Sequence, residues 1–168
     1  SNVLKSGKVK IPGNLSLLAT MNTADQSVFT LDTAFKRRWK MKLVPNSFDQ
    51  CSFSEMKILD TNIKWKSFVT TINEIILNEN SDLAVNEDKR IGAFFVSEDD
   101  LKLINGKYNP AFAEKVIMYL WNDVFKYNKE KIFDEKYNSL EKIIAGFEKE
   151  KFNVFKIDFN ESDDTHEE

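Results

Sequence analysis

The hydrophobic pattern of the sequence changes at Pro45, and this change limits the folds that the chain can adopt. Before Pro45, a short apolar run at residues 15–21 lies between turn residues, which is typical of a buried strand. Residues 40–44 alternate polar and apolar side chains and end at the proline, which predicts a second strand. Residues 31–39 between them indicate a short helix. The first segment is therefore predicted as strand-helix-strand from a parallel sheet.

After Pro45 the pattern predicts helices. Ser52-x-x-Glu55 is a capping-box signature, and it predicts a helix to about Asn62. Apolar residues at helical spacing predict a second helix over 65–78. Further segments are predicted downstream: a capped turn that begins at Ser97, a long helix that begins at Asn109-Pro110, and a last helix that ends at about Lys149.

Composition excludes several classes of protein. Of the 168 residues, 42% are hydrophobic and 30% are charged, which is typical of a globular chain, and the net charge of −3 gives no global attraction to nucleic acid. No apolar run approaches the roughly 20 residues that span a bilayer. Cys51 is the only cysteine, which favours a reducing compartment, and we expect a cytoplasmic protein.

The single histidine, His166, lies in the acidic run 158–168, which predicts a solvated, disordered tail. Catalysis by a Ser-His-Asp or Cys-His arrangement is therefore not expected. One cysteine and one histidine are also too few for a structural zinc site, and we expect no metal site.

The arginines are more informative than the lysines. The chain has 24 Lys and Arg residues, and the only arginines are Arg37, Arg38 and Arg90. Arginine offers a planar, always charged fork for phosphate. Arg37 and Arg38 close the predicted short helix, where they either neutralise phosphate or simply favour the helix C-terminus. The polar run 22–25 follows the first predicted strand, where it either orients a water or phosphate oxygen or forms an ordinary turn.

Taken together, these stretches resemble the McrB family, the AAA+ GTPase motors of modification-dependent restriction systems. The matching stretches are Ile11-Pro12-x-Asn14-Leu15, Thr20-Met21-Asn22-Thr23-Ala24-Asp25-x-Ser27, Leu31-Asp32-x-Ala34-x-x-Arg37-Arg38-Trp39, Asp88-Lys89-Arg90-Ile91-Gly92 with Phe94-Phe95, Tyr119-Leu120-Trp121-Asn122-Asp123-Val124-Phe125, and Leu140-Glu141. The resemblance extends to about residue 150.

The resemblance implies a role for each matching position. Asn22 matches the sensor-1 asparagine that positions the attacking water, and Asp25 belongs to the same signature. Arg37 and Arg38 fall where the family carries an arginine-finger pair for the next subunit's nucleotide. The stretch Arg90-Ile91-Gly92 falls in the sensor-2 region of the helical lid, close to the nucleotide.

The sequence also departs from the family pattern. The family usually carries arginine at the positions of Gln26 and Lys36, and phenylalanine at the position of Trp39. Which of Arg37 and Arg38 acts as the finger is therefore left open.

The sequence contains no Walker A run, Gly-x-x-x-x-Gly-Lys-Ser/Thr, and no apolar strand that ends in paired acids to place Mg²⁺ (Walker B). The resemblance then implies an α/β fold, mostly helical, that corresponds to the C-terminal part of an AAA+ module. We expect the end of the core at 1–45, the lid at 46–157 and the acidic tail at 158–168.

The same resemblance implies the activity and partners of the parent protein. We expect GTP or ATP with Mg²⁺ as its cofactor, a hexameric homo-oligomer, an McrC-like nuclease subunit as a partner, DNA bound through a separate domain, and no membrane. This chain alone is expected to bind no nucleotide and to release no phosphate.

Two other functions are compatible with the sequence. The first is a non-catalytic helical binding module with an aromatic docking groove, formed by Trp65, Phe94, Phe95, Trp121 and Phe125. The second is a nucleic-acid-binding domain that uses lysines, although these are interspersed with acids rather than clustered.

Overall fold

The computed structural model describes residues 12–20, 32–78 and 88–159 of the chain. The chain divides into two compact units, Ser1–Lys40 and Met41–Glu168. In the described residues, regular structure is mostly helical, and strand-like pairing is limited to isolated antiparallel bridges.

The first unit contains a short helix, α1 (Thr33–Lys36). Asp32 is its N-cap, and its carboxylate accepts a hydrogen bond from the amide of Phe35. The predicted helix over 31–39 is thus present but shorter, and Arg37 is its C-cap. Residues 12–15 form a turn in which the Leu15 amide donates to the Pro12 carbonyl at 3.2 Å.

Both predicted strands are wrong in the described residues. Residues 15–20 and 40–44 have no ladder partner, and their apolar side chains are exposed, with Leu18 at 97% and Leu43 at 83%. An apolar run shows only that a segment would gain from burial, and strand formation also requires a neighbouring strand to pair with it. No such neighbour occurs in residues 12–20, 32–78 and 88–159.

The second unit carries the principal helices: α2 (Trp65–Asn78), α3 (residues 111–124) and α4 (Leu140–Glu150). Within α3, residues Ala113–Ile117 and Leu120–Val124 form π-helical turns. Shorter 3₁₀ turns occupy Glu98–Leu101, Lys129–Lys131 and Lys151–Val154. The helices predicted over 65–78, after Asn109-Pro110 and up to about Lys149 are confirmed.

A helix predicted between Ser52 and Asn62 is wrong. Turns replace it, since the Ser54 amide donates to the Cys51 carbonyl at 3.1 Å. Leu59 has a φ of 54°, which a right-handed helix does not accept, and its amide donates to the Leu101 carbonyl at 2.6 Å. Long-range hydrogen bonds and the burial of Ile58 therefore override the local capping signal.

The core of the second unit is aromatic. Phe68 lies at its centre, and its ring centroid is 5.1–6.0 Å from those of four other phenylalanines and one tryptophan, namely Phe112, Phe152, Phe155, Phe159 and Trp65. Offset and edge-to-face ring contacts at this spacing stabilise a core beyond the burial of area. Phe159 is buried although it lies within the predicted acidic tail, whose residues 160–168 fall outside the described chain.

The start of α3 is fixed to the preceding 3₁₀ turn. Asn109 caps the helix, since its Oδ1 accepts from the Ala111 amide at 3.0 Å, and its Nδ2 donates to the Lys102 carbonyl at 3.1 Å. Asp100 accepts from the Lys115 ammonium at 2.7 Å and from the Ser97 amide at 2.7 Å. These contacts hold α3 beside the 3₁₀ turn Glu98–Leu101.

Candidate functional site

The predicted site residues fall in different parts of the chain. Asn22 and Asp25 lie outside the described residues. Arg37 and Arg38 lie in the first unit, at the C-terminal end of α1, and both side chains are exposed. The stretch Arg90–Gly92 lies in the second unit.

The helix end that carries the arginines is held by local contacts. The Arg37 amide continues the helix by donating to the Thr33 carbonyl at 3.1 Å. The Arg38 guanidinium folds back, and its Nη1 donates to the Ala34 carbonyl at 3.1 Å. The rings of Phe35 and Trp39 are 5.8 Å apart. The short helix thus presents both arginines at the surface.

The stretch Arg90–Gly92 has no regular secondary structure, and side chains satisfy the backbone groups of its central residue, Ile91. The carboxamide of Asn73 on α2 binds Ile91 twice, accepting from the Ile91 amide at 2.8 Å and donating to the Ile91 carbonyl at 2.9 Å. Asn46 donates to the same carbonyl at 3.0 Å. Ile91 is fully buried, so these bonds replace the water that its backbone loses on folding.

The residues on each side of this stretch are fixed in the same way. The Tyr119 hydroxyl donates to the Lys89 carbonyl at 2.9 Å. The Trp65 indole nitrogen donates to the Ala93 carbonyl at 2.8 Å, and the Cys51 sulfur lies 3.7 Å from that oxygen. The segment 89–93 is therefore held by side chains from α2, from α3 and from residues 46–51.

A cleft of about 560 Å³ opens beside this segment. One wall is Gly92–Phe95, and the other is formed by Lys42–Ser47, Asp49 and Gln50. Most of its surface is apolar, and Phe94 is 63% exposed there. Its volume lies within the range of about 300–1,000 Å³ that is typical of small-molecule sites.

Burial and pairing shift the pKa values of two side chains in the second unit, Tyr119 and Asp100. Burial raises the pKa of Tyr119, with a further contribution from the Asp123 carboxylate, so the hydroxyl stays protonated and remains a donor to Lys89. Burial alone would raise the pKa of Asp100, but hydrogen bonds from Lys115 and Ser97 lower it below its usual value. Asp100 is therefore a carboxylate at neutral pH.

Asn46 and Asn73 were not identified from the sequence, and Tyr119 was named only within a matching stretch, without a role. Asn73 is four residues after the buried Val69, and Tyr119 is three residues after the buried Val116. Each is therefore a polar residue at the edge of an apolar helical stripe, and that signal could have been used. The identity of their partners could not be predicted from the sequence, because each bond joins residues at least 18 positions apart.

The aromatic docking groove is not formed by the predicted residues. Trp65, Trp121 and Phe125 are buried in the core, and Phe95 is half-buried against Tyr119. Of that set only Phe94 is largely exposed. Aromatic residues at helical spacing here pack the interior, which removes the argument for a groove lined by all five.

Two further findings concern the described residues alone. Residues 12–20, 32–78 and 88–159 contain no cluster of three or more His, Cys, Asp or Glu side chains suited to hold a metal ion. None of the helices found in those ranges combines the length and the apolar character needed to cross a membrane.

Comparison with known proteins gives one relative to report. Over 133 residues the chain is 37% identical to a Bacillus subtilis (strain 168) protein named Type II restriction enzyme BsuMI component YdiS. The aligned region includes 76% of this chain but only 36% of the relative, so the chain spans about a third of that protein. No protein-family model matches the chain, and no solved structure matches it.

Proposed function

We propose that this chain is the sensor, arginine-finger and lid portion of an AAA+ nucleotide-driven motor subunit in a DNA restriction system. The observation that carries the proposal is the similarity to a restriction enzyme component over three quarters of the chain. The word component in that protein's name favours a multi-subunit system. GTP is preferred over ATP only because of the resemblance to McrB-type motors.

The proposal assigns a separate task to each part of the chain. Arg37 and Arg38 are offered across a subunit interface to the nucleotide of a neighbouring copy, where a guanidinium neutralises charge that develops on phosphate. Asn22 orients the attacking water, and Asp25 supports the same loop. Arg90-Ile91-Gly92 contacts the nucleotide from the lid side.

The lining of the cleft is compatible with part of a nucleotide, which supports the proposal. Leu43, Val44 and Pro45 on one wall and Phe94 on the other offer apolar surface for a planar base, and Lys42 adds a cation beside Leu43. The sequence has no phosphate-binding loop, so the residues that would cradle phosphates with Mg²⁺ are not among these 168. When bound, the nucleotide supplies the phosphoryl bond that is hydrolysed.

The test uses the gene product that carries this chain. Nucleotide hydrolysis by the wild type is compared with hydrolysis by Arg37→Ala, by Arg38→Ala and by Lys66→Ala, a charge-matched change on the exposed face of α2. An arginine finger contributes about 10³-fold or more to turnover. We expect that loss for one of the two arginines and unchanged turnover for Lys66→Ala.

A mixing experiment tests whether the arginine acts on a neighbouring copy. Adding the impaired arginine variant to wild-type subunits should lower the turnover by more than simple dilution does. Turnover that equals the sum of the two separate proteins would contradict action in trans.

The role in restriction is tested in cells. Plasmid transformation efficiency is measured with the wild-type gene and with the impaired arginine variant, each beside its neighbouring genes. We expect the variant to admit modified or foreign DNA that the wild type excludes. Equal exclusion by both would contradict a motor role for this subunit.

A further inference from the structure

Tyr119 contacts both ends of the segment 89–95, of which Gly92–Phe95 form one wall of the cleft. Its hydroxyl donates to the Lys89 carbonyl at 2.9 Å, immediately before Arg90. Its ring lies against that of Phe95, with centroids 4.9 Å apart. One side chain therefore spans residues 89–95, and Arg90–Gly92 lies between its two contacts.

The position of Tyr119 is itself fixed by α3. It lies between the two π-helical turns Ala113–Ile117 and Leu120–Val124, whose apolar side chains are buried in the core. π-Helical turns are rare and occur often at functional sites. The core on one side and the cleft segment on the other leave the half-buried ring little freedom to reorient.

The hydroxyl is suited to this contact. Burial and the nearby Asp123 raise its pKa, so it remains an O–H donor across the pH range in which proteins act. The Lys89 carbonyl accepts this bond directly beside the peptide that carries Arg90. A shift of that carbonyl would rotate the Arg90 backbone.

We propose that Tyr119 is a positioning residue, which sets the place of Arg90 through its bond to the Lys89 carbonyl. The inference rests on the proposed function, because it assumes that Arg90 faces the nucleotide. Tyr119 touches no reacting atom in this view, and it acts only through the segment 89–92.

The experiment uses Tyr119→Phe, which keeps the ring against Phe95 and removes only the hydroxyl. The matched control is Tyr127→Phe, which removes a hydroxyl from a side chain that is 85% exposed. We expect kcat of the gene product to fall about two- to tenfold, the effect of one hydrogen bond, with KM unchanged within about twofold. The control should match the wild type in both constants.

Hydrogen exchange on the 168-residue chain gives a second readout that a general structural role would not produce. We expect amides 89–92 to exchange about two- to tenfold faster in Tyr119→Phe, while the amides of α2 and α4 keep wild-type rates. Unchanged exchange at 89–92 would overturn the inference, and so would faster exchange spread evenly over the whole unit.

Arg90→Ala separates this inference from the proposed function. Normal turnover by Arg90→Ala would overturn the proposed role of Arg90, and the inference with it. An impaired Arg90→Ala beside a Tyr119→Phe variant with wild-type kcat would overturn the inference alone.

Discussion

Asn73 and Asn46 both donate to the Ile91 carbonyl, yet their loss should have different consequences. Asn73 also accepts from the Ile91 amide at 2.8 Å, whereas the bond from Asn46, at 3.0 Å, concerns the carbonyl only. In Asn73→Ala the Ile91 amide loses its partner inside a fully buried residue. In Asn46→Ala the carbonyl keeps the bond from Asn73.

Typical hydrogen-bond energies give the size of each loss in the free energy of unfolding. A buried amide left without a partner costs about 1–3 kcal/mol, and a replaceable hydrogen bond contributes about 0.5–1.5 kcal/mol. Alanine is the better helix former in α2, which offsets about 0.5 kcal/mol. We therefore expect Asn73→Ala to lower the free energy of unfolding by about 2–3 kcal/mol, and Asn46→Ala by about 1 kcal/mol.

Urea unfolding of the 168-residue chain measures both variants, with tryptophan fluorescence as the probe. Asn73→Asp is an informative third variant, because it keeps an acceptor for the Ile91 amide and removes the donor to the carbonyl. The Ile91 amide keeps a partner in this variant, so the part of the loss in Asn73→Ala that comes from the amide is avoided. The new carboxylate, however, faces the Ile91 carbonyl oxygen. Equal losses for Asn73→Ala and Asn46→Ala would refute the reasoning.

Two further predictions concern the second unit. Asp100→Asn should be less stable than the wild type at neutral pH, and this difference in the free energy of unfolding should narrow as the pH falls below the usual aspartate pKa of 3.8, because the lowered pKa of Asp100 contributes stability only while the carboxylate is ionised. Urea unfolding of both proteins between pH 6 and 3 measures the difference. A difference that stays constant over this range would contradict the Asp100–Lys115 pairing. Gly146→Ala should destabilise by about 1–3 kcal/mol, because the new Cβ would overlap the Tyr137 ring, whereas in a Tyr137→Ala background the same change should stabilise by about 1 kcal/mol through helix propensity. The same sign in both backgrounds would contradict a steric cause.

The helices could be predicted because their signals are local. The apolar stripe of α2 and the Asn109-Pro110 start of α3 are read from residues within a few positions of one another, and the structure confirms both. The strands at 15–21 and 40–44 and the helix after Ser52 depend on neighbours elsewhere in the chain. Periodicity and capping signals carry no information about those neighbours, and these predictions are wrong in the described residues.

For the candidate site, the sequence identified the residues that the resemblance marks but not the residues that hold them. Arg90–Gly92 was identified through a family motif, without any local signal for its conformation. The Ile91 backbone binds Asn73 and Asn46, and the Lys89 carbonyl just before the stretch binds Tyr119; each of these bonds crosses at least 18 positions. Pairings of that range are decided by tertiary packing, and a single sequence gives no access to them.

The two walls of the cleft differ in how they are held, and this difference bears on how the cleft would respond to a ligand. Gly92 and Ala93 belong to a segment whose carbonyl and amide groups bind side chains of α2 and α3. Leu43 and Val44 on the facing wall have no regular secondary structure and are largely exposed. Asn46 joins the walls through its bond to Ile91. A ligand that gains apolar contact would therefore draw the wall of Leu43 and Val44 inward, and the wall that follows Arg90 would keep its shape.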